Sequence, residues 1–282
     1  MQLEVVNKDT TLYTLVSGSK NSETVILLHG GPGTPEDMQA LIDFLAPYFQ
    51  VIYFHQRGTV KSPCPSEDYS MYSYVSDIES IASHFNLKKF HLFGHSWGGL
   101  YAGLYAERRS NRIISMFLCS PASGTGAQWM KMGAEINKYN QQRCSFLTWL
   151  VMNKNAFLAS FGSDSETRMF YRHFAINSNK GFNVRPTAPL LLELATSAAV
   201  TGTTKEIIKY GILREFRKSH VKITVTFGDT DIYGESAKYV RERYPSAAFI
   251  TIPQCGHMQW LHNENDFFKT IAHHFDLTTY NT

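Results

Sequence analysis

Residues 94–98 read Gly-His-Ser-Trp-Gly and join a short apolar run to a stretch with helical periodicity. A serine on a sharp strand-to-helix turn leaves room for little more than hydrogen at the flanking positions, and the turn pushes its hydroxyl towards substrate. The start of the following helix also favours developing negative charge. A serine between glycines occurs in ordinary turns as well, but the flanking strand and helix favour chemistry. We therefore predict Ser96 as a nucleophile.

A second glycine-rich segment, residues 29–33, reads His-Gly-Gly-Pro-Gly and directly follows another apolar run. Small residues there let the backbone itself approach a substrate. We predict an oxyanion hole formed by the backbone N–H groups of Gly31 and Trp97. An ordinary strand-to-helix turn is the alternative for this segment, and its combination with the serine turn favours the oxyanion hole.

Candidates for a base and an acid follow two later apolar runs, where residues 226–231 read Thr-Phe-Gly-Asp-Thr-Asp and residues 253–257 read Pro-Gln-Cys-Gly-His. With such a serine turn, the acid and the histidine follow the serine in the chain. We predict His257 as the base that takes the serine proton, and Asp231 as the acid that orients the imidazole. Asp229 is the rival acid and could instead cap the turn. An acyl-enzyme intermediate is implied.

Composition and charge limit the classes of function. The 282 residues carry a net charge of +3 without a basic run, so we expect no nucleic-acid partner. The first residues lack a signal region and no stretch is apolar enough to span a bilayer, which predicts a cytoplasmic protein without a membrane partner. The expected partner is a small-molecule or short-peptide substrate, and the sequence indicates no particular oligomeric state.

Neither metal nor disulfide chemistry is indicated. No His, Asp and Glu residues have the spacing of a metal site, and we predict no metal and no cofactor. The four cysteines are widely separated and are expected to be reduced: Cys64, Cys119, Cys144 and Cys255.

Alternating apolar runs and helical periodicities predict the elements that position these residues. Apolar runs indicate strands of a mostly parallel sheet at 24–29, 51–54, 90–94, 113–119, 223–228 and 249–252. Two further runs, 3–6 and 12–17, predict an antiparallel hairpin at the sheet edge. Helical periodicity predicts helices on both faces at 72–85, 98–109, 235–243 and 264–275.

The alternation stops between residues 121 and 220, where helical windows at 127–139, 165–176 and 204–218 occur without a convincing buried strand. We predict a helical cap over the carboxyl edge of the sheet, inserted into a catalytic core made of residues 1–120 and 221–282. Five aromatic residues are expected to wall an apolar pocket: Trp129, Tyr139, Trp149, Phe157 and Phe161. At least one of four glutamates is expected to face inward: Glu135, Glu193, Glu206 and Glu215.

Together these motifs resemble those of the proline iminopeptidases and their relatives in the α/β-hydrolase superfamily. The matching segments are 29–33, 56–58 (Gln-Arg-Gly), 94–99, 228–231 and 256–257. The resemblance implies an α/β-hydrolase fold with a helical cap and an aminopeptidase that releases an N-terminal residue, typically proline, from short peptides. His55 stands where the family usually has an acidic residue. A carboxylesterase acting on small acyl esters is the alternative, and a non-catalytic small-molecule-binding member is a third.

Overall fold

The computed structural model describes residues 1–218 and 220–277. Within them one eight-stranded sheet forms from β1 (Gln2–Asn7), β2 (Thr10–Ser17), β3 (Thr24–Leu28), β4 (Gln50–Phe54), β5 (Phe90–His95), β6 (Ile113–Cys119), β7 (Lys222–Gly228) and β8 (Ala248–Ile252). The strand order is β1-β2-β4-β3-β5-β6-β7-β8. β2 pairs antiparallel with β1 and β4, whereas the other neighbours are parallel. The predicted α/β class, strands and edge hairpin are confirmed.

The helices of the described ranges are α1 (Gln39–Leu45), α2 (Met71–His84), α3 (Trp97–Arg109), α4 (Ala127–Arg143), α5 (Phe146–Ala159), α6 (Asp164–Asn179), α7 (Ser197–Lys209), α8 (Lys238–Arg243), α9 (Gln259–His262) and α10 (Glu264–His274). Serine or threonine side chains cap the N-termini of several of these helices. Ser70 accepts a hydrogen bond from the Ser73 N–H at the start of α2, a typical N-cap.

Helices cover both faces of the sheet. β3, β4 and β5 are buried along their whole length, and alternate side chains of a strand point to opposite faces. Ile26 and Leu28 join an apolar cluster with α2 and α3, whereas Val25 and Leu27 join a second cluster with α1 and α10. The central strands are therefore apolar without alternation, as expected for parallel strands covered on both sides.

Two of the predicted helices, 204–218 and 235–243, differ from the structure. The helix predicted over 204–218 is wrong in extent, because α7 runs from Ser197 to Lys209 and residues 211–218 form neither helix nor strand. Thr196 caps α7 and the extended backbone of Tyr210 ends it, which the periodicity of the window did not reveal. Residues 235–243 form a 3-10 turn, Glu235–Ala237, followed by α8.

Three of the described helices, α1, α5 and α9, were not predicted, and α9 has four residues. α5 has apolar side chains on nearly every face, from Phe146 to Phe157, and therefore lacks the one-sided pattern that marks an amphipathic helix. α1 is short, with seven residues, and short helices give a weak periodic signal.

The predicted cap segment, residues 121–220, contains α4 to α7, which lie between β6 and β7 in the chain. Because β6 and β7 are neighbours in the sheet, this segment leaves and re-enters the sheet at adjacent strands. Ser219 of the predicted cap and residues 278–282 of the predicted core lie outside the described residues. Among the described helices, none combines the length and the apolar character needed to cross a membrane.

Candidate active site

Ser96 lies on a strained turn between β5 and α3. Its backbone has φ +53° and ψ −118°, a conformation that costs a non-glycine residue about 1–3 kcal/mol. A Cβ at Gly98 would lie 2.1 Å from the Leu28 carbonyl oxygen, and one at Gly94 would lie 2.4 Å from the Gly98 carbonyl oxygen. The flanking glycines are therefore required by close backbone packing, as the sequence predicted.

The Ser96 hydroxyl contacts a residue that the sequence analysis did not identify. Its Oγ lies 3.0 Å from the hydroxyl oxygen of Tyr233, and within the described residues it forms no hydrogen bond with His257. The Tyr233 ring packs edge-on against the His257 ring, with centroids 5.1 Å apart. Removal from solvent raises the pKa of Tyr233, so this phenol keeps its proton. A tyrosine two positions after Asp231 belongs to no motif, and the sequence held no signal for it.

Asp231 and His257 form a buried pair. Nδ1 of His257 lies 2.8 Å from Oδ1 of Asp231, and the two side chains are 2% and 5% exposed, respectively. Because the carboxylate can only accept, Nδ1 carries the proton and Nε2 keeps its lone pair. Asp231 also accepts hydrogen bonds from the Ser120 hydroxyl and the Ile232 N–H.

The protonation states of Asp231 and His257 are those that an orienting acid and a general base require. Burial raises the pKa of Asp231, but the neighbouring His257 imidazole and the hydrogen bonds it accepts outweigh burial and hold that pKa below its usual value. Burial lowers the pKa of His257 more than Asp231 raises it. The aspartate is therefore ionised and the histidine neutral near neutral pH.

The rival acid, Asp229, occupies a different position. Its carboxylate accepts hydrogen bonds from the backbone N–H groups of Gln254 and Cys255, at 2.8 and 2.9 Å. These bonds tie the end of β7 to the loop that carries His257. The structure thus brings Asp231 to the histidine and leaves Asp229 as a support of the turn.

Gly31 and Trp97, the predicted oxyanion-hole residues, both line the cavity above Ser96. Gly31 has φ +49°, in the left-handed region that glycine adopts without cost. Among the backbone hydrogen bonds of residues 1–218 and 220–277, neither the Gly31 N–H nor the Trp97 N–H donates to a protein acceptor. Both groups are therefore free to donate to a ligand oxygen.

His95 and Glu36 form a buried hydrogen-bonded pair next to Ser96. Nδ1 of His95 lies 2.9 Å from Oε2 of Glu36, and Nε2 lies 3.2 Å from the His257 carbonyl oxygen. Glu36 also accepts the Gly30 N–H at 2.7 Å. Burial raises the pKa of Glu36, but His95 and the Gly30 hydrogen bond outweigh it and lower that pKa. Glu36 lies between β3 and α1, where it forms an isolated antiparallel bridge with Leu190, and it belongs to no motif that the sequence revealed.

A cavity of about 330 Å³ opens above Ser96 and His257. Its wall is largely apolar and comes from α4, α5 and α6, including Trp129, Met132, Ile136, Met152, Phe170, Tyr171 and Phe174. Of the five aromatic residues predicted to form this wall, Trp129 does so, and the prediction is wrong for Tyr139, Trp149, Phe157 and Phe161. Phe157 is 63% exposed because the buried side of α5 is formed by Met152, Asn155 and Ala159, and Phe161, which follows α5, is 75% exposed.

The predicted inward-facing glutamate is also wrong. The described lining of the cavity contains none of the four predicted glutamates, Glu135, Glu193, Glu206 and Glu215. The acidic residue that this lining does contain is Glu36. Glu206 pairs with Lys209, and Glu215 pairs with Arg217. Glu135 accepts hydrogen bonds from the backbone of Gly234 and Ser236, so its carboxylate holds a loop of the core.

A family model described as the alpha/beta hydrolase fold matches residues 23–263. The proline iminopeptidase of Lactobacillus helveticus (strain DPC 4571) is 31% identical over 135 residues, 46% of this chain and 46% of that protein, so the chain spans about half the length of this relative. The proline iminopeptidase of Lactobacillus crispatus (strain ST1) is 24% identical over 285 residues, 94% of each protein.

Solved structures share the fold at low sequence identity. A chain from a study of carboxylesterases of the thaumarchaeon Nitrososphaera gargenis superposes with a TM-score of 0.72 over 100% of both chains, at 14% identity. At this identity the likeness shows the fold alone, because one fold can host many different reactions.

Proposed function

Because this chain belongs to the alpha/beta hydrolase fold family, we propose that it is a serine hydrolase in which Ser96 is transiently acylated. The observation that carries the proposal is the buried Asp231–His257 pair, whose histidine lines the same cavity as a serine on a strained turn. A neutral imidazole oriented by a carboxylate is what a serine hydroxyl needs to become a nucleophile.

The proposed reaction has two halves. His257 takes the Ser96 proton as Oγ attacks the substrate carbonyl carbon. The free N–H groups of Gly31 and Trp97 donate to the oxyanion that forms. His257 then protonates the departing alcohol, and water hydrolyses the acyl-enzyme with the same imidazole as base.

The cavity favours an ester with a small uncharged acyl group. Its wall is largely apolar, and Glu36, the acidic residue of its described lining, already accepts hydrogen bonds from Gly30 and His95. A substrate ammonium would lose its hydration there without gaining a free carboxylate. We therefore propose a carboxylesterase activity on short acyl esters.

An aminopeptidase is the second candidate. The likeness to proline iminopeptidases favours it, and one of these relatives aligns over 94% of the chain. In that case Glu36 would have to receive the substrate's amino group, since it is the acidic side chain in the described lining.

Turnover of two substrate series separates these candidates. We expect p-nitrophenyl acetate and butyrate to be hydrolysed with a kcat/KM at least about tenfold above those of proline and alanine p-nitroanilides. A higher kcat/KM for proline p-nitroanilide would replace the esterase proposal with the aminopeptidase. If neither series turns over and a fluorophosphonate leaves Ser96 unlabelled, the serine hydrolase proposal itself fails.

A further inference from the structure

The hydroxyl of Tyr233 lies within hydrogen-bond distance of Ser96 Oγ, the proposed nucleophile. A Ser-His-Asp mechanism assigns no role to such a hydroxyl. The two oxygens lie 3.0 Å apart, and Tyr233 belongs to the cavity lining. Since the phenol keeps its proton near neutral pH, it can donate to Oγ while the serine proton is directed at His257. One oxygen can thus accept from Tyr233 and donate to the base at the same time.

The loop that carries Tyr233 is fixed by α4. The Glu135 carboxylate lies 3.0 Å from the Gly234 nitrogen and 3.1 Å from the Ser236 nitrogen, and it also accepts from the Ser236 hydroxyl. Ser236 is fully buried and accepts from Ser123 at 2.8 Å. Together with the Tyr233–His257 ring contact, these bonds limit the freedom of the phenol.

We propose that Tyr233 is a further catalytic residue, which donates a hydrogen bond to Ser96 Oγ and assists the departure of this oxygen when the acyl-enzyme is hydrolysed. The proposal rests on the serine hydrolase function proposed above. The proposal also links residues 121–220 to the reaction, because Glu135 of α4 acts as a positioning residue for Tyr233.

The step balances without a further reactant. Water adds to the acyl carbonyl carbon while His257 takes one of its protons. The tetrahedral intermediate then breaks its C–Oγ bond, Oγ receives that proton from the imidazolium, and the carboxylic acid leaves. Tyr233 keeps its own proton throughout. Its hydrogen bond strengthens as negative charge develops on Oγ, because hydrogen bonds to charged acceptors are roughly twice as strong as neutral ones.

Acylation and deacylation should depend differently on this bond. In acylation Oγ is the nucleophile, and a donor on it reduces its ground-state reactivity while stabilising the charge that develops. In deacylation Oγ is the leaving group, and the donor only helps. Loss of the phenol should therefore slow deacylation more than acylation.

The test is stopped-flow hydrolysis of p-nitrophenyl acetate by Tyr233→Phe. We expect kcat to fall about ten- to a hundredfold, while the rate of the initial p-nitrophenol burst falls much less and the burst amplitude approaches one per active site. Tyr239→Phe is the matched control, because it removes a hydroxyl six residues away and outside the described cavity lining. Thermal unfolding of each variant checks that the fold is retained.

Glu135→Gln provides a second test that leaves the phenol in place. It should produce the same burst signature with a smaller loss of kcat, whereas Glu193→Gln, at an exposed position outside the described lining, should not. Unchanged kcat in Tyr233→Phe, or equal losses in the burst and steady-state rates, would overturn the proposal. Full activity of Ser96→Ala would instead refute the hydrolase mechanism on which it rests.

Discussion

The floor of the cavity consists of Ser96, Tyr233 and His257, with Asp231 hydrogen-bonded behind the imidazole, and the wall consists mainly of apolar side chains of α4, α5 and α6. Asp231 also accepts hydrogen bonds from the Ser120 hydroxyl and the Ile232 N–H. Directional bonds and close backbone contacts define positions to within a fraction of an ångström, and a functional site needs such support. Apolar contacts tolerate exchange of one side chain for another of similar volume. We therefore expect floor substitutions to change rates and wall substitutions to change substrate preference.

The outer surface of the wall extends this contrast. α5 buries Met152, Asn155 and Ala159 but leaves Leu147 and Phe157 74% and 63% exposed. By contrast, the side chains of His257 and Asp231 are only 2% and 5% exposed. The wall can therefore be changed at many positions that do not contact the floor.

The largest expected effect is at the nucleophile. Ser96→Ala should reduce ester turnover by about a thousandfold or more, because it removes the oxygen that attacks. Its thermal stability should be retained, since the Ser96 side chain forms a hydrogen bond with Tyr233 and no further partner among the described residues. Undiminished turnover and continued fluorophosphonate labelling would place the nucleophile elsewhere.

The two candidate acids, Asp231 and Asp229, should differ strongly. Asp231→Asn should lower kcat by about a thousandfold or more, since the amide no longer favours the tautomer with a free Nε2. Asp229→Asn should cost far less, because its side chain contacts the backbone of Gln254 and Cys255 rather than the imidazole. Steady-state kinetics of both variants on the same ester decide the matter, and equal losses would contradict the assignment of the acid.

The pH profile should report the buried base. His257 must be neutral to accept a proton, and burial holds its pKa below 6.5. Activity therefore rises as pH increases through this lowered pKa, and it should persist at mildly acidic pH where an ordinary histidine is protonated. The kcat/KM for p-nitrophenyl acetate against pH provides the measurement. An acidic midpoint at or above 6.5 would show that Asp231 outweighs burial.

A wall substitution should change preference rather than rate. Ile136→Ala enlarges the cavity, and we expect the kcat/KM ratio of hexanoyl to acetyl ester to increase about five- to tenfold, as one or two methylenes in an apolar pocket allow. Ile208→Ala is the control, because Ile208 is 41% exposed and is absent from the described lining. A loss of rate on both esters without a change in their ratio would show that this position supports the floor.

The smallest expected effect concerns stability beside the floor. Burial lowers the pKa of His262 from 6.5 to about 4, and its Nδ1 accepts the Gly256 N–H at 3.1 Å. Below pH 6.5 the unfolded chain binds this proton more readily than the folded chain, so stability should fall as pH decreases from 6.5 towards about 4. Urea unfolding should show a weaker pH dependence in His262→Gln. Identical slopes would assign the effect to other buried histidines.

Local sequence was sufficient for the sheet and for the turn that carries Ser96. The central strands β3, β4 and β5 are buried at every position because both faces are covered, and their apolar runs are visible in the residues themselves. The glycines at 94 and 98 are required by backbone atoms within 2.4 Å of a virtual Cβ. These steric demands concern residue type at a given spacing, which is why Ser96 could be proposed in advance. Asp231 and His257 could be proposed because they follow later apolar runs in the chain order that such a serine turn requires.

Tyr233, Glu36 and the direction of the wall side chains depended on the tertiary structure. Tyr233 is 137 residues from Ser96 in the chain and Glu36 is 59 from His95, and a tyrosine or glutamate is compatible with many local surroundings. The orientation of α5 was equally hidden, because an almost uniformly apolar helix does not reveal which face is buried. These contacts arise where loops of distant strands meet at one sheet edge, and their partners are defined by the assembled fold rather than by neighbouring residues.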